Sequence, residues 1–293
     1  MEALKGRIIR GIGGFYYVAT EHGIIECHAR GKFRKDNIIP IVGDFVEIQT
    51  SNFKDGYILK IEKRKNFLIR PPVANVDKAI IVFSITNPEI NTLLLDKMIV
   101  MAEERDIEPI ICINKIDLQK DGEHQEILNI YKNIGYKTVG TSILKNEGID
   151  ILKNILKDYT SFFAGPSGVG KSSLINAIIP GSKLKTGEIS EKLLKGKHTT
   201  RNVELLSLDS GGFILDTPGF SSLKLNIKKE DLRFYFKEFL ELQDKCKFNS
   251  CLHTSEPGCN IIKSVENGII NKGRYENYIT ILNELEENYM RRY

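Results

Sequence analysis

The sequence contains no long run of apolar residues. The longest apolar stretches that it does contain, such as Ala79 to Phe83, are far shorter than the roughly 20 residues that a helix needs to cross a bilayer. The first residues, Met-Glu-Ala-Leu-Lys-Gly, also lack the basic segment followed by an apolar one that marks a secretory signal. We therefore expect a cytoplasmic protein that does not contact a membrane.

Internal repeats and low-complexity tracts are also absent from the 293 residues. Hydrophobic residues make up 41% of the chain and charged residues 27%, which is the ordinary balance of a globular protein. A chain of this length favours two or three domains. A monomer is the default expectation, because no pattern in the sequence indicates an oligomer.

Positive charge is unevenly distributed along the chain. The net charge is +4, yet residues 1–70 contain 13 Lys and Arg against 8 Asp and Glu, so this quarter alone carries +5. Such a surplus is typical of a surface that contacts nucleic acid. A solvated basic face that binds nothing is the alternative interpretation.

The basic N-terminal part reads as short strands separated by turns. Gly11-Ile12-Gly13-Gly14 between two apolar stretches indicates a hairpin. The expected strands cover residues 7–10, 15–19, 23–27, 44–48 and 57–61. Five strands without a helix predict a small barrel of the OB type, with an SH3-like barrel as the alternative.

Beyond an expected linker at residues 70–72, strands and helices alternate, which predicts a mostly parallel sheet with helices on both faces. From about residue 228 the pattern is helical. The fold class is therefore multidomain. We predict an OB-like RNA-binding barrel at 1–68, an α/β P-loop domain at 69–227 and a helical zinc-binding domain at 228–293.

A complete phosphate-binding loop follows one of the expected strands and opens a helix. Its residues, with the serine that follows, are Gly165, Pro166, Ser167, Gly168, Val169, Gly170, Lys171, Ser172 and Ser173. The glycines let backbone N–H groups cradle phosphate oxygens at the helix N-terminus. Lys171 is expected to reach the β- and γ-phosphates, and the Ser172 hydroxyl to bind Mg²⁺.

A second motif, Asp216-Thr217-Pro218-Gly219, ends a later strand. The carboxylate of Asp216 can hold the metal through water, and the amide of Gly219 can meet the γ-phosphate. Alone, this pattern often marks only a turn; beside a P-loop it indicates a nucleotide site.

The base site is predicted at Asn114-Lys115-Ile116-Asp117, which closes another strand. The Asp117 carboxylate can accept two hydrogen bonds from guanine, a match that adenine does not offer. Asn114 either ties this loop to the P-loop or meets the base edge, and the Lys115 stem can cover the purine. Thr141-Ser142 is a weaker candidate for a second base-contacting loop.

The order of these motifs differs from that of ordinary small GTPases, in which the P-loop comes first. Here Asn114 precedes Lys171. The same sheet can form if the original termini are joined and the chain is cut after Gly219, since domain termini usually lie close together. The sequence therefore predicts a circularly permuted GTPase domain.

Ordinary small GTPases place a glutamine after this second motif to orient the attacking water. This chain has Phe220, so we expect slow intrinsic hydrolysis or an orienting group from elsewhere. Gly196-Lys197-His198-Thr199-Thr200 is the expected switch loop, in which Thr200 ligates Mg²⁺ and His198 positions the water. A loop or RNA-contacting role for His198 is the alternative.

Four potential metal ligands cluster late in the chain: Cys246, Cys251, His253 and Cys259. Three thiolates and one imidazole make a closed tetrahedral set that suits one structural Zn²⁺. Disulfides are the alternative, which a cytosolic setting disfavours.

Together these motifs resemble one family, the bacterial circularly permuted GTPases that depend on the small ribosomal subunit. The resemblance covers nearly the whole chain and includes Gly-Lys-His-Thr-Thr at 196–200, Asp-Thr-Pro-Gly-Phe at 216–220 and the Cys-x4-Cys-x-His-x5-Cys cluster. It implies late maturation of the small subunit, contact with rRNA, and hydrolysis of GTP to GDP that the subunit stimulates. Pro166 departs from the commonest family loop.

Two competing hypotheses come from other classes. The first is an RNA-binding protein that holds GTP as a structural ligand without turnover, which Phe220 keeps open. The second is a GTPase with an unrelated partner. Turnover measured with and without small subunits separates them.

Overall fold

A computed structural model describes residues 2–31, 33, 38–69, 71–119, 122–179, 181, 203–216 and 225–290. The N-terminal part forms strands β1 (Glu2–Ile12), β2 (Phe15–Thr20), β3 (Gly23–Ala29), β4 (Phe45–Thr50) and β5 (Asp55–Ile61). Their order is β1-β2-β3-β5-β4, and β4 pairs back with β1, which closes the barrel. β3 and β5 run parallel while the other pairs are antiparallel. This connectivity is that of an OB-like barrel, so the SH3-like alternative is excluded.

The short strands β6 (Phe67–Ile69) and β7 (Pro72–Ala74) stand where we expected a linker at residues 70–72. They pair with each other as a hairpin, and Val73 bridges to Val42. The amide of Asn66 donates to the Val76 carbonyl at 2.8 Å and accepts from the Val76 N–H at 2.9 Å. Side-chain hydrogen bonds of this kind, which the Pro-Pro dipeptide does not reveal, make the connection an ordered element.

The central sheet confirms the predicted alternation of strands and helices. Its elements are β8 (Lys78–Ser84), α1 (Thr92–Glu103), β9 (Glu108–Asn114), α2 (Glu123–Asn133), β10 (Lys137–Thr141), α3 (Ile149–Leu156), β11 (Thr160–Ala164), α4 (Lys171–Ile178), β12 (Glu204–Ser207) and β13 (Phe213–Asp216), with a 3₁₀ turn at Ile116–Leu118. The strand order is β10-β9-β8-β11-β13-β12, parallel except for β12. The carboxyl ends of the parallel strands therefore meet at one edge, where open α/β sheets bind their ligands.

Helices cover both faces of this sheet, as its all-buried strand β8 requires. Ile81 and Phe83 belong to the same apolar cluster as residues of α1 and α2. Ile80 and Val82 point the other way and share a cluster with residues of α3 and α4. Successive side chains of a strand alternate between faces, so one apolar run serves both layers.

The barrel continues directly into the central sheet, because β1 also pairs with β12. Arg7 of β1 strengthens this junction. Its guanidinium donates to the carbonyls of Asn75 at 2.7 Å and Gly43 at 3.2 Å and to the Thr160 hydroxyl. Thr160 begins β11, so the barrel is hydrogen-bonded to the strand that leads into the P-loop.

The C-terminal part is helical, as predicted. It contains 3₁₀ turns at Lys229–Tyr235 and Gln243–Lys245 and the helices α5 (Lys237–Leu240), α6 (Asn260–Glu266) and α7 (Lys272–Met290). Phe236, Phe239 and Tyr278 form its fully buried aromatic centre. Among the helices described, none combines the length and the apolar character needed to span a membrane.

A buried ionic cluster fastens this helical part to the central domain. Arg274 of α7 donates two hydrogen bonds to Glu238, at 2.8 and 3.0 Å, and one to Asp96 of α1. Asp96 also accepts from Tyr131 at 2.8 Å and from Asn277 at 2.7 Å. The side chains of Arg274 and Asp96 are 3% and 0% exposed, so each charge depends on the other for its solvation.

We predict that Asp96→Ala destabilises the protein by about 3–5 kcal/mol, because it leaves the Arg274 guanidinium buried with an incomplete set of partners. The free energy of unfolding from urea titrations measures the loss. Glu276→Ala is the control, since its exposed pair with Lys272 should contribute less than about 0.5 kcal/mol. Equal losses in the two variants would refute a special role for the buried cluster.

Candidate functional site

The predicted P-loop lies between β11 and α4, at the carboxyl edge of the sheet. Gly165 has φ +139°, and a Cβ there would lie 2.0 Å from the Val82 carbonyl oxygen. Gly170 has φ +95°, and a Cβ there would lie 2.4 Å from the Asn114 amide nitrogen. Both positions therefore require glycine, for conformation and for space. The loop is locked against β8, which pairs with β11, and against the end of β9, the next strand in the sheet.

Lys171 opens α4, and its side chain lies back over the loop. Its ammonium donates to the carbonyl oxygens of Gly165 at 2.9 Å and Pro166 at 2.6 Å. Burial lowers the pKa of Lys171 to about 8. The amine is thus still mainly protonated at pH 7, and a bound phosphate would favour the charged form further. Ser172 and Ser173 follow in the first turn of α4, both partly buried.

Asn114 is the last residue of β9 and is 1% exposed. Its amide nitrogen donates to the Val169 carbonyl in the P-loop at 2.8 Å, and its amide oxygen accepts from the Thr141 hydroxyl at 2.9 Å. Two roles were expected for Asn114, a tie between the two loops or contact with the base edge. The hydrogen bond to Val169 is the first of these, since it joins the predicted base loop to the P-loop.

Asp117 lies in the 3₁₀ turn that follows, and its carboxylate accepts a hydrogen bond from the Ser142 hydroxyl. Lys115 has a left-handed backbone, with φ 61°, and Ile116 is partly buried beside it. Thr141 and Ser142 thus support the loop by holding Asn114 and Asp117. In the sequence, the only indication of these supporting roles was a pair of short polar residues where a strand was expected to end.

The sequence motifs missed one contributor, the loop after β8. The Lys115 ammonium donates to the Asn87 carbonyl, and Pro88 lies 3.7 Å from the position of a Cβ on Gly168. This loop therefore contacts both the predicted base loop and the P-loop. Asn87-Pro88 after a fully buried strand was the available signal, because loops at the carboxyl edge of a parallel sheet line the ligand crevice.

Asp216 is the last residue of β13, which pairs with β11. Its backbone is thus placed at the same edge as the P-loop, one strand away. Gly219, Phe220, His198 and Thr200 lie outside the described residues, so the predicted switch loop and the γ-phosphate amide have no structural account here.

The four potential metal ligands of the C-terminal part lie close together in the structure, as their spacing in the sequence predicted. One ligand atom from each of Cys246, Cys251, His253 and Cys259 lies within 4.8 Å of the others. His253 Nδ1 is 3.4 Å from Cys259 Sγ and 3.7 Å from Cys246 Sγ, and these two sulfurs are 4.0 Å apart. None of the five cysteines forms a disulfide in the structure, which favours the metal-site interpretation over the disulfide alternative.

The four donors are grouped compatibly with a tetrahedral zinc site, although the 4.0 Å between the sulfurs of Cys246 and Cys259 is slightly longer than in a metal-bound set. Four donors about 2.0–2.3 Å from a common centre are separated by roughly 3.3–3.8 Å. Burial lowers the pKa of His253 to about 4, which keeps the imidazole in the neutral form that binds metal. Nδ1 is the nitrogen that faces the sulfurs, while Nε2 is buried without a hydrogen-bond partner among the described residues.

The loop that carries the ligands is held by its neighbours. The Glu256 carboxylate accepts from the backbone N–H groups of Leu252 at 2.6 Å and Thr254 at 2.8 Å. Burial opposes ionisation of Glu256, but the hydrogen bonds from backbone amides outweigh it and lower its pKa to about 2. Tyr275 donates to the His253 carbonyl at 2.7 Å. The ligand geometry is therefore supported by the protein itself.

Comparison with known proteins identifies the family of this chain. The family model described as RsgA GTPase matches residues 61–226, and that of the RsgA N-terminal domain matches residues 5–58. The chain is 62% identical over 293 residues to a protein of Caldanaerobacter subterraneus subsp. tengcongensis named small ribosomal subunit biogenesis GTPase RsgA, covering 100% of this chain and 99% of the relative. It is 48% identical over 287 residues to a protein of the same name from Geobacillus sp., covering 97% and 98%.

Two solved structures share the whole architecture. YloQ, described as a circularly permuted GTPase, superposes with a TM-score of 0.85 at 41% identity, covering 98% of this chain and 96% of that one. YjeQ from Thermotoga maritima gives a TM-score of 0.87 at 41% identity, covering 97% and 99%. The family resemblance, the multidomain fold and the permuted motif order are thereby confirmed. The chain belongs to the RsgA GTPase family and is a GTP hydrolase.

Proposed function

We propose that this GTPase binds the small ribosomal subunit in the cytoplasm, contacts its rRNA as a monomer, and assists late maturation of the subunit with GTP hydrolysis that the subunit stimulates. The relatives named small ribosomal subunit biogenesis GTPase support the partner. The observation that carries the chemistry is the 2.8 Å hydrogen bond from Asn114 to Val169, which joins the base loop and the P-loop into one site.

In this proposal the P-loop from Gly165 to Ser173 binds the phosphates through its N–H groups, and Lys171 neutralises the β- and γ-phosphates. Mg²⁺ would be held by Ser172, by Thr200 and, through water, by Asp216; hydroxyl and carboxylate oxygens are the donors it prefers. When bound, it supplies positive charge to the phosphate oxygens. Gly219 contributes its amide to the γ-phosphate.

Guanine would be recognised by Asp117, whose carboxylate accepts from N1–H and from the 2-amino group. The Ser142 hydroxyl holds one carboxylate oxygen, so the acceptor is oriented before the base arrives. Lys115 and Ile116 would flank the base plane. We expect preference for GTP over ATP by about 10³, because a site built to hydrogen-bond its ligand strongly rejects an analogue that leaves it unpaired.

Hydrolysis requires a water oxygen to attack the γ-phosphorus while the bond to the β-phosphate oxygen breaks and GDP leaves. Phe220 offers no group to orient that water. We propose that the subunit orders the loop from Gly196 to Thr200 and that His198 then positions the water. Cys246, Cys251, His253 and Cys259 would hold one structural Zn²⁺; with four protein ligands the ion would have no open position for substrate and would take no part in this reaction.

Asp117→Asn should weaken GTP binding and improve binding of xanthosine triphosphate, because an amide donates to the 2-oxo group where the carboxylate accepted from the amine. Competition against a fluorescent guanine nucleotide measures both affinities. Ser142→Ala is the matched control: it should weaken GTP without any gain for the xanthine nucleotide. An unchanged preference in Asp117→Asn would mean that the base site is misassigned.

Multiple-turnover hydrolysis with and without purified small subunits tests the function as a whole. The free protein should turn over slowly, near the roughly 10⁻⁴–10⁻² s⁻¹ of unassisted small GTPases, and subunits should raise the rate. Lys171→Ala should impair both rates. His198→Ala should retain nucleotide binding and lose most of the stimulation. Full stimulation of His198→Ala by the subunit would contradict the catalytic role of His198. Absence of stimulation in the unaltered protein would contradict the proposed function.

Metal analysis of protein purified without chelator should find about one zinc per chain. Cys251→Ser should lower that stoichiometry and destabilise the helical part, while nucleotide affinity stays nearly intact, because metal binding is coupled to folding of the site. Cys27→Ala, which removes a buried barrel thiol outside the cluster, should retain the zinc. Metal-free protein with normal stability would contradict the assignment.

A further inference from the structure

Arg233 reaches the loop that carries the predicted zinc ligands from a different part of the chain. It lies in the 3₁₀ turn at Lys229–Tyr235, well before the first ligand, Cys246. One terminal nitrogen of its guanidinium donates to the carbonyl oxygens of Asn249 at 2.7 Å and Cys251 at 3.1 Å. Cys251 is itself one of the four ligands, so a positive charge is hydrogen-bonded to a ligand residue of the metal site.

The guanidinium of Arg233 forms no ion pair with a carboxylate within the described part of the chain. Three other cations of the helical part differ, since Lys229, Lys237 and Arg274 each lie within 3.1 Å of a carboxylate oxygen. The Nε atom of Arg233 is buried and also lacks a hydrogen-bond partner among those residues. A charge that is partly removed from water ordinarily requires a compensating partner, so its counter-charge has to come from another group.

A loaded metal site would supply that counter-charge. Zinc brings two positive charges, while three cysteines bind as thiolates and bring three negative ones, and the imidazole is neutral. The formal net charge of the ion with its four ligands is therefore −1. The Glu256 carboxylate adds negative charge to the same loop, and it accepts from backbone N–H groups rather than from a cation. The loaded loop would thus be anionic at the place where Arg233 contacts it.

We propose that Arg233 is the counter-cation of the zinc centre and that its positive charge raises the affinity of the site for zinc. The inference rests on the proposed zinc site. Tyr275 and Tyr278 also donate to carbonyls of the ligand loop, those of His253 and Leu252, but their hydroxyl groups are neutral. The tyrosines therefore position the loop, whereas Arg233 also compensates its charge.

This contact would fasten the ligand loop to the central domain. Leu232, the neighbour of Arg233 in the turn, is fully buried in the same apolar cluster as Val100 of helix α1. The Arg233 guanidinium lies over the Phe234 ring, 4.7 Å from its centroid, which restricts the orientation of the side chain. Zinc binding would therefore stabilise the contact between the loop and the turn as well as the loop itself.

The zinc affinity of full-length variants tests the proposal, measured by competition with the chromophoric chelator 4-(2-pyridylazo)resorcinol. Arg233→Gln removes the charge and keeps an N–H donor, and it should weaken zinc binding by about tenfold, within the range for residues that support metal ligands. Arg233→Lys keeps the charge and should retain most of the affinity. Lys229→Gln is the matched control: it removes a charge from the same turn, where Lys229 pairs with Glu286, and zinc affinity should stay unchanged.

Added salt separates charge compensation from hydrogen bonding. Arg233 is only partly buried, so dissolved ions can screen its charge. The difference in zinc affinity between Arg233→Gln and the unaltered protein should therefore shrink in about 1 M potassium chloride, where the Debye length is about 3 Å. An equal loss in the lysine and glutamine variants that salt does not change would mean that Arg233 only braces the loop, and it overturns the proposal.

Cobalt substitution shows whether the variants keep the ligand geometry. Co²⁺ bound by three thiolates and one imidazole gives visible absorption bands that depend on tetrahedral coordination. Unchanged bands together with weaker zinc binding in Arg233→Gln support the proposal, and altered bands overturn it, because the side chain would then shape the loop. If the unaltered protein binds no zinc, the proposed zinc site fails and this inference fails with it. If it binds zinc and Arg233→Gln binds zinc equally well, only the role of Arg233 fails.

Discussion

The candidate nucleotide site depends on one buried hydrogen bond, from the amide of Asn114 to the carbonyl of Val169. The two residues are 55 positions apart in the chain, yet they fix the spacing between the loop proposed to bind the base and the predicted P-loop. Because Asn114 is only 1% exposed, loss of either partner leaves a polar group buried and unpaired. The bond requires only that the loops meet at one sheet edge, so the site tolerates a permuted chain order.

Because of the permuted order, the C-terminal helical part follows β13, the strand that ends at Asp216, in the chain. After Asp216, beside the P-loop, the chain leads to the helices that Arg274 fastens to Asp96 of α1. Helix α1 connects β8 to β9, the strand that ends at Asn114. Asp216 therefore lies on the phosphate side of the candidate site, and the helical domain is anchored beside its base side. We propose that this placement couples nucleotide state to the position of the helical domain.

Local motifs predicted much of the fold and site, because each reports chemistry carried by neighbouring residues. The P-loop context, the Cys-x4-Cys-x-His-x5-Cys cluster and the permuted alternation follow from spacing alone. Two parts required the tertiary structure. The Arg274–Asp96 pair joins residues 178 apart, and the choice of Asn114 between base and P-loop depends on where Val169 lies. A linker was expected at residues 70–72 because the side chains of Asn66 and Asn75, which order the hairpin there, carry no local signal.

The barrel and the central sheet are mechanically one body, and Arg7 shows why. Its guanidinium lies between the rings of Phe45 in the barrel and Phe213 at the start of β13, 4.8 and 5.4 Å from their centroids. Burial lowers the pKa of Arg7 to about 10, while Asp77 and Asp44 oppose that shift, so the residue stays charged at pH 7. Deleting the barrel would leave Phe213 and Thr160 without these contacts. It would therefore destabilise β11 and β13, the strands that lead to the P-loop and to Asp216. If the barrel contacts RNA, as proposed, the contact would reach the P-loop through a continuous sheet, and single substitutions on the barrel surface would separate RNA binding from GTP binding better than truncation of the barrel.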